Sequence, residues 1–330
     1  MKINQGECMG LQILYLIITF VITAILGKII IPILRKLKIG QTERTDGPRT
    51  HLKKQGTPTM GGIIMILSII IPIAIISFFV NPELKPVLCL LSLTSIGFGI
   101  VGFIDDYKKL VLKNTDGLSP SLKMLGQLIV AVVFAILIIE VFNFNPSTYI
   151  PILKITLELP KWIYIVFIVI VMLGTTNAIN LTDGVDGLAT MVSAIMMAGL
   201  SIIGYKLQEQ AVSVFAAIIC GTCLGFYIYN MYKAKVMMGD TGSLLLGGVL
   251  SCIAIYLNMP ILLIILAIIP VIETLSVIFQ VLSFRLTGKR LLKMAPLHHH
   301  LELIGWRETK VVGIFSLITI IAVVISIFAI

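Results

Sequence analysis

Residues 87–109 read VLCLLSLTSIGFGIVGFIDDYKK: an uncharged stretch over 87–104, then Asp105, Asp106, Lys108 and Lys109 in quick succession. An apolar run of this length is the size of a membrane span. Carboxylates at its end stand where ionised groups are costly and default to functional roles. At the C-terminus of a helix they also oppose the macrodipole, so the placement costs stability. Neighbouring helical residues point ~100° apart, so Asp105 and Asp106 can address two different partners. A solvated acidic end balanced by Lys108 and Lys109 is the plainer alternative.

Outward from this stretch the hydropathy repeats. The chain has 330 residues, 58% hydrophobic and 12% charged, with mean hydropathy +1.06. Those values exclude an ordinary soluble domain and indicate a polytopic membrane protein. At ~20 residues per span, the expected spans are 11–34, 61–80, 87–104, 121–142, 161–178, 188–204, 211–229, 241–257, 260–284 and 310–329. The fold class is therefore all-α integral membrane, with about ten transmembrane helices in a single domain, 1–330. Span nine holds Pro270 in its interior, which predicts a kink. Glu273 and Gln280 fall on one face of it. Residues 143–160 alternate enough to predict a short hairpin on the outer side. Met1–Gly10 is not a basic leader and the first span is too long for a signal core, so no cleavage is expected.

Orientation follows from the basic residues. Nineteen Lys and Arg fall in loops on one side and five on the other, with Lys28 inside the first span. The basic side is expected to be cytoplasmic, with both termini outside. The net charge of +9 belongs to these loops. It suits topology and anionic headgroups, and it can also attract anionic substrates. No nucleic-acid module is visible. Cys8, Cys89, Cys220, Cys223 and Cys252 read as packing residues; Cys220 and Cys223 form a CxxC within a helix, without flanking charge.

Further polar groups collect on the same side. GTTNAINLTDGVDGLA (174–189) places Asn177, Asn180, Asp183 and Asp186 in a Gly-punctuated turn able to bind a nucleotide or phosphate. N-capping of the next span by Asp183 or Asp186 is a compatible reading. Asn230 and KVMMGDTGSLLLGG (235–248) follow. Asp240 opens a helix, where the dipole favours its charge, and Gly239 permits close approach of a ligand. HLKKQGTPTMGG (51–62) can offer Lys54, Thr57 and Thr59 to phosphate oxygens, and a basic loop that only sets topology fits it equally. KMAPLHHHLELIGWRETK (293–310) contains His298, His299 and His300, read as phosphate contacts rather than metal ligands. Oxygen donors between helix ends suit a hard divalent cation and phosphate chemistry.

GTPTMGG, GFIDDYKK, NAINLTDGVDGLA, MGDTGSLLLGG and APLHHHLELIGW together resemble the phospho-N-acetylmuramoyl-pentapeptide transferase family, in order and over nearly the whole chain. The histidine segment separates that family from sister polyprenyl-phosphate N-acetylhexosamine-1-phosphate transferases that use other UDP-sugars. The resemblance implies a ten-helix, usually homodimeric enzyme of the bacterial plasma membrane with a cytoplasmic active site. It implies transfer of phospho-MurNAc-pentapeptide from UDP-MurNAc-pentapeptide to undecaprenyl phosphate, giving lipid I and UMP, with Mg²⁺ as cofactor. By motif, Asp240 is implied as a metal ligand, Asp105 as base on the lipid phosphate and Asp106 as its partner near the metal. His298 and His299 are implied at phosphate or nucleotide, with His300 and Gln280 beside the substrate. Asn180, Asp183 and Asn230 line the uridine site, with Asn177 and Asp186 nearby; Lys54 and Lys123 face the diphosphate. One position departs from the pattern: Met237 stands where the family commonly has an aromatic able to stack on uracil. An ion-coupled transporter is the more distant rival. Transporters place their polar sites near the midplane, often in repeated halves, whereas these acids gather at one face and no repeat is visible.

Overall fold

In hydrocarbon an apolar segment must satisfy its own backbone N–H and C=O groups, so each apolar run closes as a helix. The computed structural model describes residues 5–37, 56–110 and 117–330. Its helices are α1 (Gln5–Lys36), α2 (Gly62–Ile75), α3 (Lys85–Leu110), α4 (Pro120–Ile136), α5 (Lys161–Thr182), α6 (Leu188–Lys206), α7 (Gln210–Asn230), α8 (Gly239–Tyr256), α9 (Leu263–Leu266), α10 (Ile268–Thr287), α11 (Leu297–Leu303) and α12 (Glu308–Phe328). Among the described residues nine helices are long and apolar enough to cross a membrane, and a shorter apolar helix spans Gly62–Phe78. Each of the ten expected spans has its helix. The protein is an all-α, multi-pass membrane protein.

α7 and α8 are nearly enclosed, whereas α10 is largely exposed. Around that centre α3 and α5 pack on α8, α1 and α6 on α7, and α12 on α6. The Tyr229 hydroxyl donates to the Ala24 carbonyl at 2.6 Å, holding α1 parallel to α7. Lys206 donates to the Ile327 carbonyl at 2.8 Å, joining the ends of α6 and α12. The start of α1 and the end of α12 therefore share one face, opposite to Asp105 and Asp240.

The expected hairpin is present on that face. Strands β1 (Ser147–Ile150) and β2 (Ile155–Glu158) pair antiparallel, with Ser147 opposite Glu158 and Ile150 opposite Ile155. Tyr149 N–H donates to the Asn258 carbonyl, and the Asn258 amide donates to Ser147 Oγ, each at 2.8 Å.

Span nine differs from expectation. The chain breaks at Ala267 (φ −101°, ψ 36°), and α10 starts one residue later. Pro270 thus sits in the first turn of α10 instead of a helix interior. Its missing N–H leaves no intrahelical bond unmade there, and the interruption of the span lies three residues earlier, at Ala267.

On the opposite face α3 and α8 touch through backbone. A Cβ on Gly102 would lie 2.1 Å from the Asp240 carbonyl oxygen. No side chain fits this seam, and it brings the end of α3 against the start of α8. Gly102→Leu should wedge the two helices apart, overpacking that costs about 1–3 kcal/mol or more. The expected result is a lost monodisperse peak in detergent or a lowered thermal midpoint. Gly174→Ala is the control: a Cβ there meets nothing within 4 Å, so its midpoint should equal or slightly exceed the parent's, alanine being the better helix former.

Candidate active site

Four helix ends deliver the central group. Asp105 comes from the last turns of α3, Lys123 from the first turn of α4, Asn180 from the last turn of α5 and Asp240 from the first turn of α8. Lys109, one turn beyond Asp105, donates to Asp105 Oδ2 at 2.6 Å and to Asp240 Oδ2 at 3.0 Å. Lys123 donates to Asp240 Oδ2 at 2.9 Å and stands 3.8 Å from Asp105 Oδ2. Asn180 Nδ2 donates to Asp240 Oδ1 at 2.7 Å and to Ser243 Oγ at 2.8 Å. Asp105 Oδ1 accepts the Leu118 N–H at 2.7 Å, which ties in the chain leading to α4.

Asp106 faces the other way, as the angle between adjacent helical residues requires. Its Oδ2 accepts the Thr241 N–H at 2.9 Å and the Thr241 hydroxyl at 2.6 Å, and its Oδ1 accepts the Asp240 N–H at 3.2 Å. It is an N-terminal cap for α8 supplied by another helix. The orphan donors and the positive end of α8 stabilise its charge, which offsets the cost of a carboxylate near the C-terminus of α3. The shared cation is reached by Asp105 and Asp240; Asp106 holds Asp240 from behind. Gly239 (φ +69°) turns the chain into α8, and a Cβ there would come 2.6 Å from Asp106 Oδ2.

The turn between α5 and α6 flanks this group. Asp183 follows the last residue of α5. Neither aspartate occupies the cap position of α6, which Gly187 takes with φ +79° and no side-chain bond. Asp186 is buried, accepts the Ala234 N–H at 2.9 Å, and donates its own N–H to Glu308 Oε2 at 3.2 Å. Asn230, also buried, accepts from Thr190 at 2.6 Å and donates to the Val236 carbonyl at 3.0 Å. Asn177 donates to Gln127 Oε1 and to the Leu173 carbonyl, each at 2.8 Å. Asp186 and Asn230 thus brace the loops around the site, and Asn177 joins α5 to α4.

Residues 58–62 run beside 237–238. Met237 N–H donates to the Pro58 carbonyl at 2.8 Å, and Gly61 and Gly62 donate to the Met237 and Met238 carbonyls at 2.9 Å. The Met237 side chain is only 6% exposed. Thr57 is partly exposed beside this pairing, and Lys54 lies outside the described residues.

The three histidines serve different contacts. His298 is wholly enclosed: its N–H lies 3.2 Å from Glu273 Oε1, its Nδ1 lies 3.2 Å from Glu273 Oε2, and a Cβ on Gly184 would strike its Nε2. It pins α11 to α10 and to the α5–α6 turn. The His299 ring stands edge-on to His298 at 4.1 Å, with Nδ1 3.0 Å from Glu302 Oε2. His300 Nδ1 accepts the Lys293 N–H at 3.1 Å. Gln280 accepts the Leu291 and Leu292 N–H groups at 3.0 and 2.8 Å and donates to the Leu292 carbonyl at 3.0 Å. It clamps the loop after α10.

Among the described residues no three His, Cys, Asp or Glu side chains cluster at metal-holding distance. Two carboxylates, Asp105 and Asp240, do converge on one cationic position. Mg²⁺ is commonly held by one or two carboxylates, with substrate phosphates and water completing its shell, so this donor pair suits it.

Sequence reasoning named Lys109 only as a counter-charge and missed Thr241, Ser243, Gln127 and Glu308 as site supports. Two signals were available. Lys109 lies four residues after Asp105, a spacing that puts both on one helical face. Gln127 has the same relation to Lys123.

The clamp yields a measurable consequence. Gln280→Leu removes three hydrogen bonds worth ~1 kcal/mol each, so the loop bearing Lys289, Arg290 and Lys293 should open more often. Trypsin should cut there on the order of a hundredfold faster than in the parent, read by gel and mass spectrometry.

Comparison with known proteins agrees with this architecture. Glycosyl transferase family 4 matches residues 88–258, which carry Asp105, Lys109, Lys123, Asn180 and Asp240. A phospho-N-acetylmuramoyl-pentapeptide-transferase of Acetivibrio thermocellus is 44% identical over 332 residues, covering 100% of this chain and 98% of that protein. One of the same name from Staphylococcus aureus is 47% identical over 303 residues, covering 91% of this chain and 94% of its own. With the resemblance running from end to end at this identity, the chain belongs to the phospho-N-acetylmuramoyl-pentapeptide transferases of glycosyl transferase family 4.

Proposed function

We propose that the chain transfers phospho-MurNAc-pentapeptide from UDP-MurNAc-pentapeptide to undecaprenyl phosphate, releasing UMP and forming lipid I. On this reading it works as a homodimer, at the cytoplasmic face of the bacterial plasma membrane, with Mg²⁺ held at Asp240; Asp106, expected beside the metal, is instead bonded to the start of α8. The observation that carries the reading is the convergence of two carboxylates and two ammoniums, from three helices, at one end of the bundle. A lipid-borne acceptor needs its reactive phosphate at that depth, and both substrates are anions.

In the reaction, an oxygen of the lipid phosphate bonds to the phosphorus next to the sugar, and the bond from that phosphorus to the bridging oxygen of UMP breaks. Mg²⁺, when bound, supplies neutralising charge at the diphosphate and favours departure of UMP. Lys123 and Lys109 offset further charge, in a partly enclosed place where such interactions exceed their strength in water. Asn180 fixes the rotation of Asp240. Asp105 accepts the residual proton of the lipid phosphate, whose second ionisation falls near ~6 as in other phosphate monoesters. His299, which is more open than His298, meets phosphate on this reading. Asp183 and the backbone of the adjoining turn serve the uridine, with Asn230 and Asp186 supporting them from within.

The test is purified protein with both substrates, followed by UMP release. EDTA should abolish turnover and Mg²⁺ restore it, while Asp240→Asn should have almost none. Full activity of Asp240→Asn would remove that residue from the site.

The chemical route is open to a second measurement. Direct attack predicts that Asp105→Asn slows the reaction yet leaves turnover, because the lipid phosphate is already largely a dianion at neutral pH. It also predicts inversion at phosphorus with a chiral phosphorothioate donor. Retention would instead require two displacements and a covalent enzyme intermediate.

A further inference from the structure

Lys109 bridges the two carboxylates that converge at this end of the bundle. Its ammonium touches Asp105 Oδ2 at 2.6 Å and Asp240 Oδ2 at 3.0 Å, and Lys123 approaches the same two oxygens at 3.8 and 2.9 Å. With Asp106 bonded instead to the start of α8, the two carboxylates that face this position, Asp105 and Asp240, are each met by an ammonium. A bare divalent cation entering it would meet two ammoniums within a few ångströms and would have to take oxygens already bonded. The two lysines are not equivalent. The Lys109 side chain is 38% exposed and that of Lys123 18%. Lys109 springs from the last turn of α3 on a flexible four-carbon stem, so it can leave the carboxylates without moving a helix.

We propose that Lys109 is a placeholder for the metal: it bridges Asp105 and Asp240 before substrate binds, then moves to the phosphate oxygens when a divalent cation takes its position. This rests on the reading that the metal is held at Asp240. The exchange has two consequences. It keeps the two like-charged carboxylates converged in the substrate-free protein, so the metal site is built before the metal arrives. It also makes metal binding unfavourable until an anionic diphosphate enters, because only then are both the metal's charge and the released ammonium matched. Metal and donor must therefore favour each other's binding by the same factor.

Binding of Mn²⁺ alone, read by electron paramagnetic resonance on the purified full chain without substrates, tests this apart from turnover. Lys109→Met keeps the stem and removes the charge, and should bind Mn²⁺ about tenfold more tightly than the parent, since a like charge at contact distance is gone. Lys109→Gln should behave in the same way, and Lys109→Arg should stay near the parent. Turnover of the Met variant should fall even though its metal affinity has risen, a divergence that mere structural damage would not produce. Equal or weaker Mn²⁺ binding by both neutral variants, with Asp240→Asn abolishing the parent's binding, would overturn the placeholder and leave the metal site intact. Unchanged Mn²⁺ binding in Asp240→Asn would overturn the metal site and the placeholder with it.

Discussion

The contact on which the site depends is the carboxylate of Asp106 seated on the first turn of α8. Taken alone, each half is unfavourable: a negative charge near the C-terminus of α3, and a helix start with unpaired N–H donors. Brought together, the charge meets the positive end of another helix and the donors find an acceptor. The bond can form only because Gly102 lets α3 lie against the Asp240 carbonyl with no side chain between them. Once that seam is closed, the angle between adjacent helical residues turns Asp105 toward the opposite side, where Lys109, Lys123 and Asp240 meet it.

A second layer of contacts serves this centre without entering it. Asp186, Asn230, Asn177, Gln280, His298 and Glu273 are polar, and most are buried, with bonds that tie helices to one another or to the segments that connect them. At a membrane face such loops have little apolar surface to bury, so hydrogen bonds and charge pairs must fix them. Truncating one partner of a buried pair is costly because it leaves the other unsatisfied. Loss of activity on mutating these residues is therefore expected whether or not they touch substrate. Histidines 298, 299 and 300 make the point within one motif: three identical side chains have an enclosed brace, a partly open ring and a loop tie as their settings.

Charge balance links the structure to the chemistry. In the cluster Asp105 and Asp240 are matched by Lys109 and Lys123, and on the proposed reading both substrates are anions. Productive binding must bring positive charge from the metal as negative charge arrives from the phosphates. A site arranged in this way favours the combined load over either part, which ties affinity to the presence of the reacting groups.

Much of this was legible in the sequence, for physical reasons. Membrane spans announce themselves because hydrocarbon tolerates little else, so ten helices and the hairpin could be read from composition and alternation alone, although α5 runs on to Thr182 through Asn177 and Asn180, which the sequence suggested for a turn. The side on which the acids gather followed from span counting, and the chemistry class from their type. Sequence by itself also marked Asp105, Asp240, Asn180 and Lys123, which the fold does unite. Only tertiary structure could separate the residues of the centre from those that brace it. Asp106, Asn230, Asp186, Gln280 and His298 are as polar and as well placed in the chain as the central group, and the direction each side chain takes depends on helices remote in sequence. The same holds for Pro270, whose effect depended on whether the chain had already broken at Ala267. Hydropathy is a property of a segment and is written along the chain; a hydrogen-bond partner on another helix is not.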